Sequence, residues 1–215
     1  MQPQPRTGVV LAGGYSTRFG ETDKALAEVN GTAMIARVVS RLTGVVDRIV
    51  VSCRERQQPV FERVLSALDT DVPVQFALDP TPHRGPLAGL VSGFEQVETT
   101  YAAVVACDMP FVDPAFIAFL FEQVGGHDAA VPEVDDGHRQ PTQAVYHVGR
   151  TATVGDRRLA ADELSLRGML SELDTLILPA ATVSAHTNRR SLRDINSHAE
   201  LVHETVDDNS PQDHQ

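Results

Sequence analysis

The sequence predicts a three-layer α/β/α fold, in which a mostly parallel β-sheet lies between two layers of helices. Short apolar segments rich in β-branched residues alternate almost strictly with amphipathic segments, and this alternation is typical of parallel sheets covered by helices. The 215 residues are enough for one domain with a sizeable core. We expect that domain to span residues 7–203, between disordered polar tails at 1–6 and 204–215.

Seven segments have the composition of strands: 8–12, 48–53, 74–78, 101–107, 128–131, 143–148 and 175–178. Several of them are continuous apolar runs, such as Ile49-Val50-Val51 and Ala103-Val104-Val105-Ala106. A strand with one solvated face would alternate apolar and polar residues, so continuous runs favour strands that are buried on both faces. This pattern predicts a sheet that is covered on both sides.

Five segments between these strands are predicted to be helices: 32–43, 57–68, 87–97, 114–124 and 162–173. In the first of them, Ile35, Val38 and Leu42 recur at the spacing of one helical face. In the fourth, Pro114 follows Asp113. Aspartate suits the position before a helix and proline suits the first helical position, so this pair predicts a helix start.

Composition and charge exclude several kinds of partner. The net charge of −11 argues against nucleic acid, because a phosphate backbone requires a basic surface. Two cysteines are too few for a disulfide framework and favour a reducing compartment. No apolar segment has the length of a membrane span, so we expect a cytoplasmic protein without membrane partners.

The excess of acids and the scarcity of lysine also suggest a protein kept soluble at high salt.

A glycine-rich loop, Leu11-Ala12-Gly13-Gly14, follows the first predicted strand. Glycines allow backbone N–H groups to approach a ligand and to form an anion-binding nest. Arg18 and Lys24 follow in the same loop, where their charges would neutralise a polyphosphate. The loop has neither the P-loop pattern nor the G-x-G-x-x-G pattern. It predicts a phosphate cradle of another type, and the alternative is a tight turn with a solvated basic rim.

Lys24 is the one lysine among 18 basic residues. Arginine carries a planar fork, whereas lysine carries a compact charge on a flexible stem. A lysine at the end of the glycine-rich loop therefore favours a site that must follow a phosphate group through a reaction. The alternative is that the position of this single lysine is a matter of chance.

Polar residues also follow the next strands of the predicted sheet, namely Arg54, Asp79 and Asp108. Ligands bind beyond the carboxyl ends of such strands. Asp108 directly follows a buried strand, and Mg²⁺ is often bound by one or two carboxylates together with substrate phosphates. A metal-binding role and a role in a turn are the two interpretations of Asp108. In the segment 85–89, Gly85-Pro86 predicts a turn and Gly89 allows a close backbone approach.

Five motifs together resemble the molybdenum cofactor guanylyltransferases of the MobA family. These are the glycine-rich loop at 11–25, G-P-L-A-G at 85–89, C-D-x-P at 107–110, Q-P-x-x-A-x-Y at 140–146 and D-I-N at 194–196. They occur in the order of the family and cover about residues 8–200. Phe19 replaces the usual methionine, and Cys53 stands where relatives often have asparagine. The resemblance implies a Rossmann-like nucleotidyltransferase fold.

The resemblance also implies an activity, the transfer of GMP from GTP to the terminal phosphate of molybdopterin, with Mg²⁺ as cofactor and pyrophosphate as product. The implied nucleotide-binding residues are Leu11, Ala12, Gly13, Gly14, Lys24, Asp79, Gly85, Pro86, Leu87 and Asp108. The implied catalytic residues are Arg18, Lys24 and Asp108, with Asp108 as the metal ligand. The implied acceptor-binding residues are Gln140, Pro141 and Asn196.

The implied partners are GTP and molybdopterin or molybdenum cofactor, together with other cofactor biosynthesis proteins and target molybdoenzymes. One alternative is a related nucleotidyltransferase that uses CTP or a different phosphorylated acceptor. Relatives that use CTP commonly have A-A-G where this chain has Ala12-Gly13-Gly14, which favours GTP. Another alternative is a nucleotide or cofactor carrier without turnover, which would not need a metal-binding acid. The presence of Asp108 and Lys24 together therefore favours an enzyme.

Overall fold

The computed structural model describes residues 4–14, 23–79, 84–134, 137–197 and 200. In these ranges the strands are β1 (Thr7–Leu11), β2 (Glu28–Val29), β3 (Thr32–Ala33), β4 (Arg48–Cys53), β5 (Val74–Leu78), β6 (Tyr101–Ala106), β7 (Ala129–Val134), β8 (His138–Arg139), β9 (Gln143–His147) and β10 (Thr175–Leu178). The helices are α1 (Met34–Leu42), α2 (Gln58–Leu65), α3 (Gly85–Phe94), α4 (Pro114–Gln123), α5 (Val148–Ala160), α6 (Leu166–Leu170) and α7 (Ala180–His186).

The main sheet has the strand order β10-β7-β9-β6-β1-β4-β5, and β8 pairs with β7. The central strand β1 is parallel to β4 and β6, and β5 and β10 are parallel to their neighbours β4 and β7. Strand β9 is antiparallel to both β6 and β7. The sheet is therefore mixed but mostly parallel, as the sequence predicted. Strands β2 and β3 form a separate antiparallel pair.

Helices cover both faces of the sheet and produce three layers. Val10 of β1 belongs to a core with residues of α1, α2, α4 and α7. Val9 and Leu11 belong to a second core with residues of α3, α5 and α6. Successive side chains of a strand point to opposite faces, so these two cores lie on opposite sides of the sheet. The predicted α/β/α architecture is confirmed.

Close packing fixes helix α3 against the sheet and against α5. A Cβ atom on Gly93 would lie 2.7 Å from Val9 Cγ1, and one on Gly89 would lie 3.0 Å from Ser52 Oγ. A Cβ atom on Gly155 of α5 would lie 2.5 Å from Val91 Cγ2 of α3. Glycine is therefore required for these close approaches, which hold the first turn of α3 at the carboxyl edge of the sheet.

The predicted strands correspond to β1, β4, β5, β6, β7, β9 and β10, and four of the five predicted helices correspond to α1 to α4. The predicted helix at 162–173 is wrong in extent, because only Leu166–Leu170 is helical there. The longer helix α5 precedes it and was not predicted. Val148, Thr151 and Gly155 of α5 are buried, and Ala152 and Leu159 are half-buried against the same core. The core-facing side of α5 is therefore built largely from small or polar residues, which form only a weak apolar stripe in the sequence.

None of the described helices combines the length and the apolar character that a membrane span requires. Residues 1–3 and 201–215 lie outside the described part of the chain. The disorder expected at both tails therefore stays a prediction.

Candidate active site

A cavity of about 560 Å³ lies at the carboxyl edge of the sheet, where the loops after β1, β4, β5 and β6 meet the first turn of α3. This volume is in the range of small-molecule sites. The described residues around it include the glycine-rich loop 11–14, the residues after the neighbouring strands and two polar residues from later in the chain, Thr142 and Asp194. The strand-end loops that the sequence placed at one sheet edge thus share one cavity.

Backbone hydrogen bonds extend the parallel ladder to the points where these loops begin. Ala12 N donates to the Ser52 carbonyl at 2.8 Å, and Cys107 N donates to the Leu11 carbonyl at 3.0 Å. Asp79 N donates to the Cys53 carbonyl at 2.9 Å. Three neighbouring loops therefore leave the sheet at the same level, and this brings their polar residues to the cavity.

Lys24 joins two segments that are far apart in the sequence. Its Nζ donates to Asp108 Oδ2 and to Asn196 Oδ1, both at 2.7 Å. Both charged side chains are largely buried, with 16% of the Lys24 side chain and 21% of the Asp108 side chain exposed. The single lysine therefore contacts the predicted metal-binding carboxylate and one of the predicted acceptor-side residues.

The segment that carries Asn196 is attached to the end of β6. Ile195 N donates to the Asp108 carbonyl at 2.9 Å, and Asn196 Nδ2 donates to Asp194 Oδ2 at 2.6 Å. The Ile195 side chain is 2% exposed and packs in a small cluster with Phe111. These contacts hold the amide of Asn196 where its oxygen accepts from Lys24.

The donor set at this edge of the cavity suits a hard divalent cation. The described residues contain no cluster of three or more His, Cys, Asp or Glu side chains that would hold a metal ion alone. Mg²⁺ in nucleotide sites takes one or two carboxylates and completes its coordination with phosphates and water. Asp108 and Asp194 both line the cavity, so the residues present fit a cation that arrives with a nucleotide.

Most of the predicted nucleotide-binding residues line the cavity, namely Leu11, Ala12, Gly13, Gly14, Lys24, Asp79, Gly85, Pro86 and Asp108. The Leu87 side chain instead lies fully buried in the core beside Leu90, so any contact of Leu87 with a nucleotide would come from its backbone. Arg18 lies outside the described residues.

Two of the predicted acceptor-binding residues are held next to the cavity by hydrogen bonds within the protein. Gln140 Nε2 donates to the Leu192 carbonyl at 3.0 Å. The Pro141 carbonyl accepts from the buried hydroxyl of Tyr146 at 2.7 Å. Thr142, the next residue, lines the cavity. The segment that the sequence assigned to the acceptor thus reaches the site through Thr142.

Arg54 and Gln57 are polar residues of this region to which the sequence assigned no role. They are 7% and 5% exposed, and both contact the glycine-rich loop through hydrogen bonds to Gly14 and Ala12. The position of Arg54 after β4 was the one available signal. Gln57 has none, because its partners toward the loop, Ala12 and Asp23, lie 45 and 34 residues away in the sequence.

The two cysteines are buried free thiols. Burial raises the pKa of Cys53 to about 12, with the charge of Asp23 acting in the same direction. Burial also raises the pKa of Cys107 well above its ordinary value, and neighbouring Asp108 adds to this shift. A thiol must be deprotonated to act as a nucleophile, so both cysteines serve as small apolar residues near neutral pH.

A glycine-rich loop, a lysine and a carboxylate around one cavity at the carboxyl edge of a parallel sheet define an α/β nucleotide-binding protein. Residues 8–176 match the family model described as the MobA-like NTP transferase domain. A protein of Natronomonas pharaonis named "Probable molybdenum cofactor guanylyltransferase" is 41% identical over 196 residues, which are 91% of this chain and 95% of that protein. The chain therefore belongs to the family with the MobA-like NTP transferase domain.

Two further comparisons agree, one with this family in sequence and one with the fold. A Haloferax mediterranei protein, also named "Probable molybdenum cofactor guanylyltransferase", is 36% identical over 194 residues, which are 89% of each chain. The crystal structure of molybdopterin-guanine dinucleotide biosynthesis protein A from Archaeoglobus fulgidus superposes with a TM-score of 0.76 at 22% identity, covering 94% of this chain and 97% of that chain. The predicted resemblance and the nucleotidyltransferase fold are confirmed.

Proposed function

We propose that this protein is a molybdenum cofactor guanylyltransferase, which transfers GMP from GTP to the terminal phosphate of molybdopterin and releases pyrophosphate. The contact of Lys24 Nζ with Asp108 Oδ2 at 2.7 Å, beside the glycine-rich loop, is the observation that carries the proposal. This contact joins an ammonium and a carboxylate beside the loop that we propose binds the triphosphate. The relatives of known name cover nearly the whole chain and support guanine as the base.

The reaction needs no covalent enzyme intermediate. A terminal phosphate oxygen of molybdopterin attacks the α-phosphorus of GTP, the new P–O bond forms, and the bond to the bridging oxygen of the β-phosphate breaks. The electron pair leaves with pyrophosphate. The protein contributes by positioning the two anions and by stabilising charge on the reacting phosphates, as is general for this chemistry.

The described residues divide this work between two sides of the cavity. Ala12 N already donates to the Ser52 carbonyl, so the backbone N–H groups of Gly13 and Gly14 would bind the nucleotide phosphates, and Asp108 would hold Mg²⁺ together with those phosphates. The bound ion neutralises phosphate charge. Lys24 contacts both Asp108 and Asn196, so its ammonium lies between the nucleotide side and the acceptor side. From there it stabilises the charge that moves towards the leaving pyrophosphate.

The activity implies a cellular context. Other proteins of molybdenum cofactor biosynthesis supply the acceptor, and target molybdoenzymes receive the product. Two buried free thiols accord with a cytoplasmic location.

The second candidate is a related nucleotidyltransferase that uses CTP or a different phosphorylated acceptor. The same cavity, lysine and carboxylate would serve these reactions. The sequence Ala12-Gly13-Gly14 distinguishes the two, because relatives that use CTP commonly have a second alanine in this place.

The test is pyrophosphate release by the purified full-length protein with molybdopterin and MgCl₂, comparing GTP, CTP and ATP at equal concentrations. A site with polar groups placed for guanine leaves them unpaired with another base, at about 1–3 kcal/mol for each group. We therefore expect GTP to be preferred over CTP on the order of a hundredfold in kcat/KM. Equal or faster turnover of CTP would establish the second candidate. Reaction of GTP with another phosphorylated acceptor alone would refute the role in cofactor maturation.

A further inference from the structure

A buried polar network adjoins the glycine-rich loop. Its members are Asp23, Arg54 and Gln57, which we call the loop clamp. Arg54 precedes the short 3-10 turn Glu55–Gln57 that follows β4, and Gln57 is its last residue. Both side chains are less than a tenth exposed. Burying a guanidinium and a primary amide is unfavourable unless their polar atoms find partners. The partners that these side chains have therefore indicate what the network does.

The amide of Gln57 contacts both the glycine-rich loop, at Ala12, and Asp23, the residue before Lys24. Its Nε2 donates to the Ala12 carbonyl at 3.1 Å and to Asp23 Oδ2 at 2.5 Å. Its Oε1 accepts from Arg54 N at 2.8 Å and from Arg54 Nε at 3.0 Å. Both N–H donors and both acceptor sites of one primary amide are thus used. Ala12 precedes residues 15–22 and Asp23 follows them, so this side chain joins the chain on either side of that segment.

Arg54 and Asp23 connect the same network to the turn that begins at Lys24. The Arg54 guanidinium donates to the Gly14 carbonyl at 2.9 Å and lies 3.8 Å from Asp23 Oδ2. Asp23 Oδ1 accepts from Ala25 N at 3.1 Å and so caps the 3-10 turn that begins at Lys24. The loop clamp therefore links the carbonyls of the glycine-rich loop to the turn that carries the lysine.

We propose that Asp23, Arg54 and Gln57 are positioning residues, which hold the glycine-rich loop and Lys24 in the arrangement that binds the nucleotide triphosphate. This inference rests on the proposed function of the cavity. Fixing the loop before the ligand arrives reduces the conformational freedom that binding must remove, and preorganisation of this kind increases affinity. The loop clamp thus acts on the nucleotide side of the cavity, and the acceptor side has its own contacts through Asn196 and Thr142.

The test exchanges donor and acceptor within the loop clamp. Gln57→Glu puts a carboxylate oxygen in place of the Nε2 donor, opposite the Ala12 carbonyl and Asp23 Oδ2. We expect GTP affinity, measured by calorimetry with MgCl₂ and no acceptor, to fall about tenfold or more. In turnover assays, KM for GTP should rise in the same proportion, while KM for molybdopterin should stay within about twofold.

The rescue is the double variant Asp23→Asn with Gln57→Glu. In this variant the new amide at position 23 donates through its Nδ2 to the new carboxylate at position 57, and its Oδ1 still caps Ala25 N. Net charge is unchanged. We expect the double variant to recover most of the lost GTP affinity, although the Ala12 carbonyl remains opposite an acceptor. A double variant whose loss equals the product of the two single losses would refute the proposal, because coupled residues give non-additive effects.

Matched controls separate positioning from folding. Gln58→Glu makes the same chemical change one residue away, where the side chain contacts Glu62 at the surface, and it should leave GTP affinity unchanged. Melting temperature and circular dichroism identify the folded variants. If Gln57→Glu fails to fold, Gln57→Met replaces it, since it removes the hydrogen bonds without adding charge. A folded Gln57 variant with wild-type GTP affinity would overturn the inference.

Nucleotide use by the wild-type protein tests the proposed function separately from the role of the loop clamp. If it binds and uses CTP in place of GTP, the guanylyl assignment fails. The same affinity comparison is then made with CTP, and loss and rescue in that series would still support the loop clamp.

Discussion

Lys24 connects three distant segments of the chain. Its ammonium donates to Asp108, which follows β6, and to Asn196, which lies after α7. Lysine has three N–H donors around a small charge and a flexible stem, whereas the guanidinium of arginine is a rigid planar fork. At this position the ammonium fits between a carboxylate and an amide oxygen that are each 2.7 Å away. The chain uses arginine for every other basic residue, so we infer that this geometry requires a lysine.

The first prediction concerns the shape of this charge. Lys24→Ala should lower kcat/KM about a hundredfold, since it removes one contact that stabilises the transition state by about 3 kcal/mol. Lys24→Arg should also lose at least about tenfold, because the planar fork cannot occupy the same place. Lys24→Ala also leaves the largely buried carboxylate of Asp108 without the Lys24 ammonium, so the melting temperature should fall as well, and activity is compared well below it. Steady-state kinetics with GTP and molybdopterin provide the measurement.

The control for this prediction is Arg63→Lys on the exposed face of α2, which should have wild-type activity. A fully active Lys24→Arg enzyme would show that the position of the single lysine is a matter of chance.

The second prediction concerns the carboxylate of Asp108. Asp108→Asn keeps the shape of the side chain but removes the charge that Mg²⁺ requires. We expect turnover to fall by roughly a hundredfold, equivalent to about 3 kcal/mol, and the MgCl₂ concentration for half-maximal rate to rise. Titration of activity with MgCl₂ measures both effects, and exposed Asp69→Asn is the control. Normal turnover in a folded Asp108→Asn protein would exclude Asp108 as the metal ligand.

Sequence reasoning at this scale succeeds where a residue type, its place after a strand and a known motif agree. Lys24 and Asp108 meet all three conditions, and both line the cavity. Leu87 belongs to a motif, but the motif covers the first turns of α3, where cavity-lining and core positions alternate. Its side chain is in the core. Gln57 could not be recognised, because its role depends on a backbone carbonyl and a carboxylate that only the tertiary structure brings near it.

At the scale of elements, helix α3 determines how the cavity meets the sheet. Gly89 and Gly93 allow its backbone to approach β4 and β1, and Gly85, with φ of 71°, begins the helix in a conformation that favours glycine. The first turn of α3 therefore reaches the cavity wall. Larger residues at 89 or 93 would push the helix away from the strands that carry the glycine-rich loop and Asp108.

The third prediction follows from this packing. Gly93→Ala should destabilise the protein by about 1–3 kcal/mol, because its Cβ atom would lie 2.7 Å from Val9 Cγ1. Valine on a central strand has little freedom to move aside. The melting temperature should fall by about 2–4 °C for each kcal/mol. Thermal unfolding monitored by circular dichroism gives the measurement.

Gly149→Ala is the matched control, since it lies in α5, is exposed, and its Cβ atom would be 3.9 Å from His147. It should stabilise the protein by up to about 1 kcal/mol through helix propensity. Equal stabilisation by Gly93→Ala would contradict the packing argument.

Elements with a strong local signal were predicted and those held by tertiary contacts were not. Continuous β-branched runs identified the strands of the main sheet, because this composition favours strands that are buried on both faces. Helix α5 was not predicted, because its core-facing side combines Thr151 and Gly155 with only a few apolar residues. The pair β2–β3 is joined by Asn30-Gly31, both with positive φ, which is a common hairpin turn. Its strands have only two residues each, too few for a period-2 pattern.

At the scale of the whole molecule, the balance of charges separates the surface from the site. The protein carries a net charge of −11, while its substrates are anions. Like charges on the surface repel one another and repel the substrates at low ionic strength. Among the described residues, the basic groups that line the cavity are Lys24 and Arg54, and they are paired with Asp108 and Asp23. We therefore expect binding of GTP to depend on local contacts and not on a general attraction to the surface.

The fourth prediction is that the folded state becomes more stable as salt increases. The Debye length falls from about 10 Å at 0.1 M to about 3 Å at 1 M salt, so KCl screens repulsion between surface carboxylates. It also screens surface ion pairs such as Arg150 with Asp128, but isolated exposed pairs contribute little. We therefore expect the melting temperature to rise by several degrees between 0.1 M and 2 M KCl. A flat or falling melting temperature would refute the interpretation of the acidic composition.

A charge-reduced variant tests the cause of that rise. Asp69→Asn, Glu95→Gln and Glu122→Gln are exposed changes that together remove three negative charges and bring the net charge from −11 to −8. If screening of self-repulsion is responsible, the variant should melt higher than the wild type in 0.1 M KCl, and the difference should shrink in 2 M KCl. If the difference in melting temperature between the two proteins is the same at both KCl concentrations, the effect of salt would instead be assigned to stronger burial of apolar groups.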